Sequence, residues 1–297
     1  MSDVSSGPAL TPPDRPAPTR PTVWRQLRRH RMAVASLAVF AILAVACLAA
    51  PVVAPFQFDA IDLESVREPP SAAHWMGTDD LGRDLLTRVL YGGRVSILIG
   101  LLAAILGTGL GALIGSVAGF YGGRLESLLM RLTDIAFAIP TLPLLIVLAS
   151  YTDAAIVSMA LIIGLLSWMT TARVVRGEVL SIKEMTYVEA ARSIGAGNAR
   201  IIGRHILPNV VGPIIVGATL AVGNAIILES SLSFLGLGVQ PPVPTWGNLL
   251  MDAQATMATK PWLTVFPGIA ILLVVLAVNF IGDGLQDALD PTARGSS

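Results

Sequence analysis

The 297-residue chain is short of charge, of cysteine and of every signature of bond-breaking chemistry. Asp, Glu, Lys and Arg make up 13% of it, while hydrophobic residues make up 54%. A soluble domain carries about 25% charged residues, so this composition and a mean hydropathy of +0.70 point to a membrane protein. Acids and bases balance at 20 each, so no overall basic field is present to hold nucleic acid. The single cysteine, Cys47, excludes an intrachain disulfide framework and a cysteine-rich metal site. No Gly-Lys dipeptide occurs, which excludes a phosphate-binding P-loop. No His-Glu-x-x-His occurs and no apolar run contains a charge pair, so intramembrane catalysis has no candidate residues.

Charge-free runs mark the candidate spans. None of the four charged types falls between Arg31 and Asp59, Arg94 and Arg124, Asp134 and Asp153, Asp153 and Arg173, Arg204 and Glu229, or Lys260 and Asp283. Each gap holds the ~18–20 apolar residues that cross a hydrocarbon core of about 30 Å as a helix. The runs predict an all-α polytopic protein with six transmembrane helices near 32–54, 95–119, 133–151, 154–173, 208–230 and 262–284. The uncharged stretch 230–251 is different. Pro241, Pro242, Pro244 and several glycines would leave its backbone groups unpaired against lipid. It reads as a short helix or loop buried against protein over 232–238, then a proline-held turn toward Trp246. Glu229 and Asp283 are placed at span ends, where water solvates them.

Arginines set the expected orientation. Arg15, Arg20, Arg25, Arg28, Arg29 and Arg31 precede the first run, and Arg173, Arg176, Lys183, Arg192, Arg200 and Arg204 follow the fourth. The connection after the fifth run has only Lys260, and the one after the third has no basic residue. Positive loops stay in the cytoplasm, which places 1–31, 120–132 and 174–206 inside, with 56–93 and 231–261 outside. The 55–94 loop also carries Arg67, Arg83, Arg88 and Arg94, outnumbered by its acids. Residues 1–31 are read as a disordered basic cytoplasmic tail and 291–297 as a second cytoplasmic tail. A signal peptide with a lipoprotein-like site at Cys47 is the competing reading of the N-terminus. The apolar run continues past Cys47, and Ala44 stands where such a site usually has Leu, so Cys47 is read as a packed helix residue.

Two stretches carry local patterns of their own. Ala103, Gly107, Gly111, Gly115 and Gly119 recur every four residues, a helix-packing seam along which another backbone can approach closely. The expectation is that Gly111→Leu or Gly115→Leu disrupts assembly with a partner chain. Met185, Val188, Ala191 and Ile194 recur every three residues, widened by Tyr187 and Ala190, which describes a short amphipathic helix. Gly195 suits a left-handed helix end, Asn198 can cap a second helix, and Pro208 fits the first turn of the next span. Helix, tight turn and helix can enter a cleft on a partner, with Glu189 as a charge at the rim. The competing reading is a helix lying on lipid, which the small residues Ala190, Ala191, Ser193 and Ala196 weaken.

Glu189, Ala190, Ala191, Gly195, Leu207 and Pro208 together resemble the "EAA" loop by which permease subunits of ATP-driven (ABC-type) importers grip their ATPase. His205 departs from that pattern, which often has Ile two residues before the Leu-Pro. The stretches from Met76 to Arg88 and Tyr91 to Ser96, from Glu229 to Pro242 and Thr245 to Gly247, and Arg173 to Gly177 are similar to dipeptide, oligopeptide and nickel permeases of the "C" type. The resemblance covers about residues 24–292. It implies a type I ABC importer permease architecture, with a permease core over 95–290 and a coupling loop at 174–206, in a multi-pass protein of the cell membrane with both termini cytoplasmic. It also implies a heterodimer with a second homologous permease subunit, two cytoplasmic ATPase subunits and an extracytoplasmic solute-binding protein, carrying di- or oligopeptides. ATP and Mg would be bound by those partner subunits, with no cofactor on this chain.

The segment before the second span has its own chemistry. Thr78 or Asp79 can cap a helix whose Leu81, Leu85, Leu86, Val89 and Leu90 share one face, with Asp84 and Arg88 as an i, i+4 pair. This reads as an outward interfacial helix, an anchor or part of a docking surface. A self-contained, ion-driven carrier is the alternative for the whole chain. That class wants broken helices in related halves, and Pro140 with Pro143 is the only candidate break.

Overall fold

A computed structural model of the chain describes Leu27 and residues 30–153 and 155–289. The expectations for residues 1–26 and 291–297 lie outside the described residues. Among the described residues the architecture is all-helical, with one isolated bridge between Thr78 and Asp84 in place of any strand. The principal helices are α1 (Arg31–Leu48), α2 (Leu85–Tyr121), α3 (Gly123–Ala138), α4 (Thr141–Ser150) and α5 (Ile156–Leu165). They continue with α6 (Trp168–Lys183), α7 (Thr186–Ser193), α8 (Leu207–Phe234), α9 (Trp246–Ala253) and α10 (Trp262–Leu289).

Four stretches are single helices long and apolar enough to cross a membrane: α1, α2, α10, and the rod Asn198–Phe234 that contains α8. The bent pairs α3–α4 (83°) and α5–α6 (45°) bring the total to as many as six. Their breaks have local causes. Pro140 has no N–H to donate and follows Ile139, whose extended backbone (ψ 124°) ends α3. Between α5 and α6, Leu166 and Ser167 donate to carbonyls three residues back, and the Ser167 hydroxyl takes the Ile163 carbonyl at 2.6 Å. The bend at 165–168 is a second break, one that proline content alone did not foretell.

Several span boundaries differ from expectation: α3 begins at Gly123, ten residues before the predicted third span, and α6 runs to Lys183, ten past the predicted fourth. The second span starts at Leu85, ten residues earlier than predicted, because the expected interfacial helix is its first two turns. Asp84 is the cap and accepts from the Thr87 N–H at 2.8 Å; neither Thr78 nor Asp79 takes that place. The fifth span runs backward without interruption through one π-helical turn (Ile202–Ile206) to Asn198.

The central helix is α2, flanked by α6, α5, α8 and α1, while α8 and α10 also pack together. One apolar cluster joins Phe120, Val175, Val179, Ile182, Val188, Ile201, Ile206 and Val210 around the end that bears α7, here the loop end. Another joins Leu85, Val89, Val222, Ile226, Trp246, Leu249 and Leu263 at the far end.

Candidate functional site

At the loop end, α7 is fastened by two side chains. Val188 (0% exposed) sits in the cluster with Ile201, Ile206 and Val210, and Ala191 (7%) is buried on the same helix. The remaining positions point away from the bundle: Tyr187, Glu189, Ala190, Ile194 (86% exposed) and Met185, which stands at the N-cap. The predicted amphipathic stripe therefore splits. Val188 and Ala191 hold the helix, while Met185, Tyr187 and Ile194 stay exposed beside the small Ala190.

The turn after α7 is a Schellman motif. The Ala196 N–H donates to the Ala191 carbonyl and the Gly195 N–H to the Arg192 carbonyl, both at 3.0 Å. Gly195 has φ +82°, and a Cβ there would meet nothing within 4 Å, so glycine is required by conformation alone. Leu207 and Pro208 are exposed in the first turn of α8, and Asn209 Nδ2 donates to the Tyr187 hydroxyl at 3.3 Å. Asn198 begins the next short helix, whose N-cap position belongs to Gly197.

Behind the loop, α6 is tied to α3. Arg176 Nε donates to Glu126 Oε1 at 2.7 Å, and Arg173 Nη2 to Asp134 Oδ1 at 2.7 Å while lying 4.1 Å over the Phe137 ring. Lys183 Nζ donates to the Gly119 carbonyl at the end of α2.

The glycine seam is filled from within the chain. A Cβ on Gly107 would come 2.9 Å from Ser167 Cβ, and one on Gly119 2.8 Å from Val179 Cβ. Added carbons on Gly111 and Gly115 would run into the carbonyls of Trp168 and Ala172, and Gly164 of α5 sits against the Ala103 backbone. This corrects the expectation that the seam awaits a partner permease: α5 and α6 occupy it.

The far end holds two polar junctions. Asp79 accepts from the Leu81 and Arg83 N–H groups (both 2.9 Å), from Arg83 Nε (2.7 Å) and from Arg88 Nη1. Arg88 also lies 3.6 Å from Asp252, so the expected Asp84–Arg88 pair does not form. Asp84 is held by its capping bond and by His74 Nδ1 at 3.0 Å. Burial pushes the Asp79 carboxyl up, but the Arg88 guanidinium, the two backbone donors and Arg83 outweigh it and hold it below the usual carboxylate range. Asp252 goes the other way: burial raises it against the weaker pull of Arg88.

The second junction was missed. Glu229 has no exposed surface, contrary to its expected place at a solvated span end. Its carboxyl accepts from Ser233 Oγ at 2.7 Å, Ser96 Oγ at 3.0 Å and Ser230 Oγ at 3.4 Å. Ser96 Oγ in turn accepts the Trp246 backbone N–H at 3.2 Å. The legible signal was an acid with serines one and four residues later on a helix, since the i+4 serine faces it. The expected separate element at 232–238 is in part the last turn of α8; Leu232 is fully buried, but Phe234, Leu235 and Gly236 are exposed, so the stretch is not buried throughout as expected.

Residues 111–295 match the family of binding-protein-dependent transport system inner membrane components, and residues 22–70 match the N-terminal transmembrane domain of oligopeptide transport permease C. A Brucella suis biovar 1 protein named as a peptide permease is 42% identical over 283 residues, covering 94% of each chain. The glutathione transport system permease protein GsiD of Escherichia coli O6:K15:H31 is 41% identical over 287 residues, 96% of this chain and 95% of that one. The fold and these matches define a polytopic inner-membrane permease. The chain belongs to the binding-protein-dependent transport family, as an ABC-type permease component of the peptide-transport kind. That assignment displaces the ion-driven carrier.

Proposed function

We propose that this chain forms half of a translocation pathway for peptides, including glutathione-like ones, and that α7 with its Gly195 turn is its contact with a separate ATPase. A second homologous permease would supply the other half, and an extracytoplasmic binding protein would deliver the solute. ATP and Mg would sit on the two ATPase subunits, and no bond is broken on this chain. Both termini and the loop end would face the cytoplasm, where the basic residues concentrate.

The observation that carries the reading is the division of α7. Burial of Val188 and Ala191 makes the helix a fixed part of the bundle, and the exposed Met185, Tyr187 and Ile194 surround a small-residue edge that a cleft can accept. A helix held this way transmits displacement to α6 and α8, because Val188 packs with Val175, Val179, Ile206 and Val210.

The test is a cysteine at Ala190 in the assembled transporter, crosslinked to the ATPase subunit with and without ATP and vanadate. A crosslink that changes with nucleotide is expected. Glu189→Lys should weaken it by placing a reversed charge at the contact rim. If no nucleotide state yields a crosslink and Glu189→Lys transports normally, α7 is a lipid-surface helix.

A further inference from the structure

A carboxyl group inside a membrane-spanning helix is costly, and its persistence calls for a role. Glu229 meets that description in α8, yet it lines no path described so far. It is enclosed where three elements cross. Glycines let them approach: a Cβ on Gly100 would lie 2.6 Å from Ile226 of α8, one on Gly93 2.6 Å from the Trp246 ring, and one on Gly247 2.6 Å from the Ser230 carbonyl. Glu229 stands at this crossing with a hydroxyl from α2 (Ser96) and two from its own helix. Ser96 passes the connection to the first N–H of α9, and Trp246 Nε1 donates to the Val89 carbonyl at 2.9 Å. The far-end cap, 235–253, is thereby bonded to α2 and α8 together.

The same rod reaches the loop end. Asn198–Phe234 is one 37-residue helical run, about 55 Å long at 1.5 Å per residue. It begins three residues after Gly195 and carries Glu229 in its last two turns. We propose that Glu229 is a positioning residue, its carboxyl oriented by Ser233 of the same helix and fastening the outer cap to this rod through Ser96, so that movement of the cytoplasmic loop is delivered to the outer face. The proposal rests on the coupling role of α7.

The experiment uses the complete transporter in proteoliposomes, in a Cys47→Ala background. The probe is a membrane-impermeant maleimide on Ala253→Cys, at the end of α9, where Ala253 is 2% exposed. The Ala190 crosslink is followed in parallel. In the otherwise native protein, ATP with vanadate should change the labelling rate. Glu229→Ala should abolish that response and raise resting labelling about tenfold, the scale of leaving a buried hydroxyl without its partner, while the Ala190 crosslink still follows nucleotide. Glu229→Gln should restore the response, because its amide can accept from Ser233 and donate to Ser96.

Ser233→Ala and Ser96→Ala each remove one donor and should lose part of the response, which keeps the test open if Glu229→Ala fails to assemble. A response preserved in Glu229→Ala, or in both serine variants where Glu229→Ala fails to assemble, overturns the proposal while the coupling reading stands. So does a native complex whose Ala190 crosslink follows nucleotide while position 253 does not. A native Ala190 crosslink indifferent to nucleotide overturns the coupling reading, and this proposal with it.

Discussion

Gly195 and Asp79 show two ways in which a single residue constrains this chain. Gly195 has space around it, so size is no obstacle, and only its φ of +82° matters. A left-handed conformation costs an ordinary L-residue roughly 1–2 kcal/mol, and a β-branched one more. Gly195→Val should therefore cut the Ala190 crosslink to the ATPase, whereas Gly195→Asn, which tolerates αL, should retain most of it. Asp79 is constrained by charge. Removing it leaves Arg88, 1% exposed, without its main partner, and Asp79→Asn should destabilise the solubilised protein by about 3 kcal/mol. Its folded pKa lies below that of an unfolded Asp, so its stabilisation is complete above about pH 3.9 and is lost as pH falls through the lower folded value. Thermal melts in detergent should accordingly show the gap between native and Asp79→Asn closing only in strong acid. The Gly195 requirement was legible from sequence, since a glycine after an amphipathic run is a helix-end signal. The Asp79–Arg88–Asp252 grouping was not, because Asp252 is brought in from α9 by packing more than 160 residues away.

At the scale of the helix, small residues report closeness but not with whom. The four-residue spacing from Ala103 to Gly119 marked an approached face, yet spacing cannot say whether the approaching backbone belongs to the same chain. Here α6 fills it, and the expected effect of a substitution moves from assembly to folding. Gly111→Leu and Gly115→Leu would drive a side chain into the Trp168 and Ala172 carbonyls, an overpacking that costs 1–3 kcal/mol or more (~3 here, with backbone on the far side). The yield and melting temperature of the chain expressed without its partner should fall for both. Gly109→Leu is the internal control: nothing lies within 4 Å of its added carbon, and it should be neutral. Normal behaviour of the Gly111 and Gly115 variants would show that α6 does not occupy the seam. The helix breaks divide in the same manner. Proline at 140 announced one, whereas the 45° bend at 165–168 arises from the Ser167 hydroxyl and loosened carbonyls, which many serines in helices do without bending them.

For the whole molecule, the arrangement of ends decides whether the mechanism is possible. The loop-end cluster around Val188 and the far-end junction around Glu229 sit at opposite ends of the Asn198–Phe234 rod, so a membrane between them places the loop and the cap in different compartments. Six crossings, counting each bent pair as one, return the chain to its starting side. On the proposed orientation, the basic residues at 173–204 and before α1 put that side in the cytoplasm, with Arg67 and Thr256 in the segments on the other. Reporter fusions at Arg67, Lys183 and Thr256 measure this directly: Lys183 should report cytoplasmic, and Arg67 and Thr256 external. The acid-rich segment 55–84 makes Arg67 the most informative of the three, because its own arginines oppose the assignment and only the helix count supports it. If Arg67 reports cytoplasmic while Lys183 keeps its place, one bent pair does not cross and the span count is wrong. If Lys183 reports external, α7 faces away from any cytoplasmic ATPase, and the proposed coupling is physically impossible.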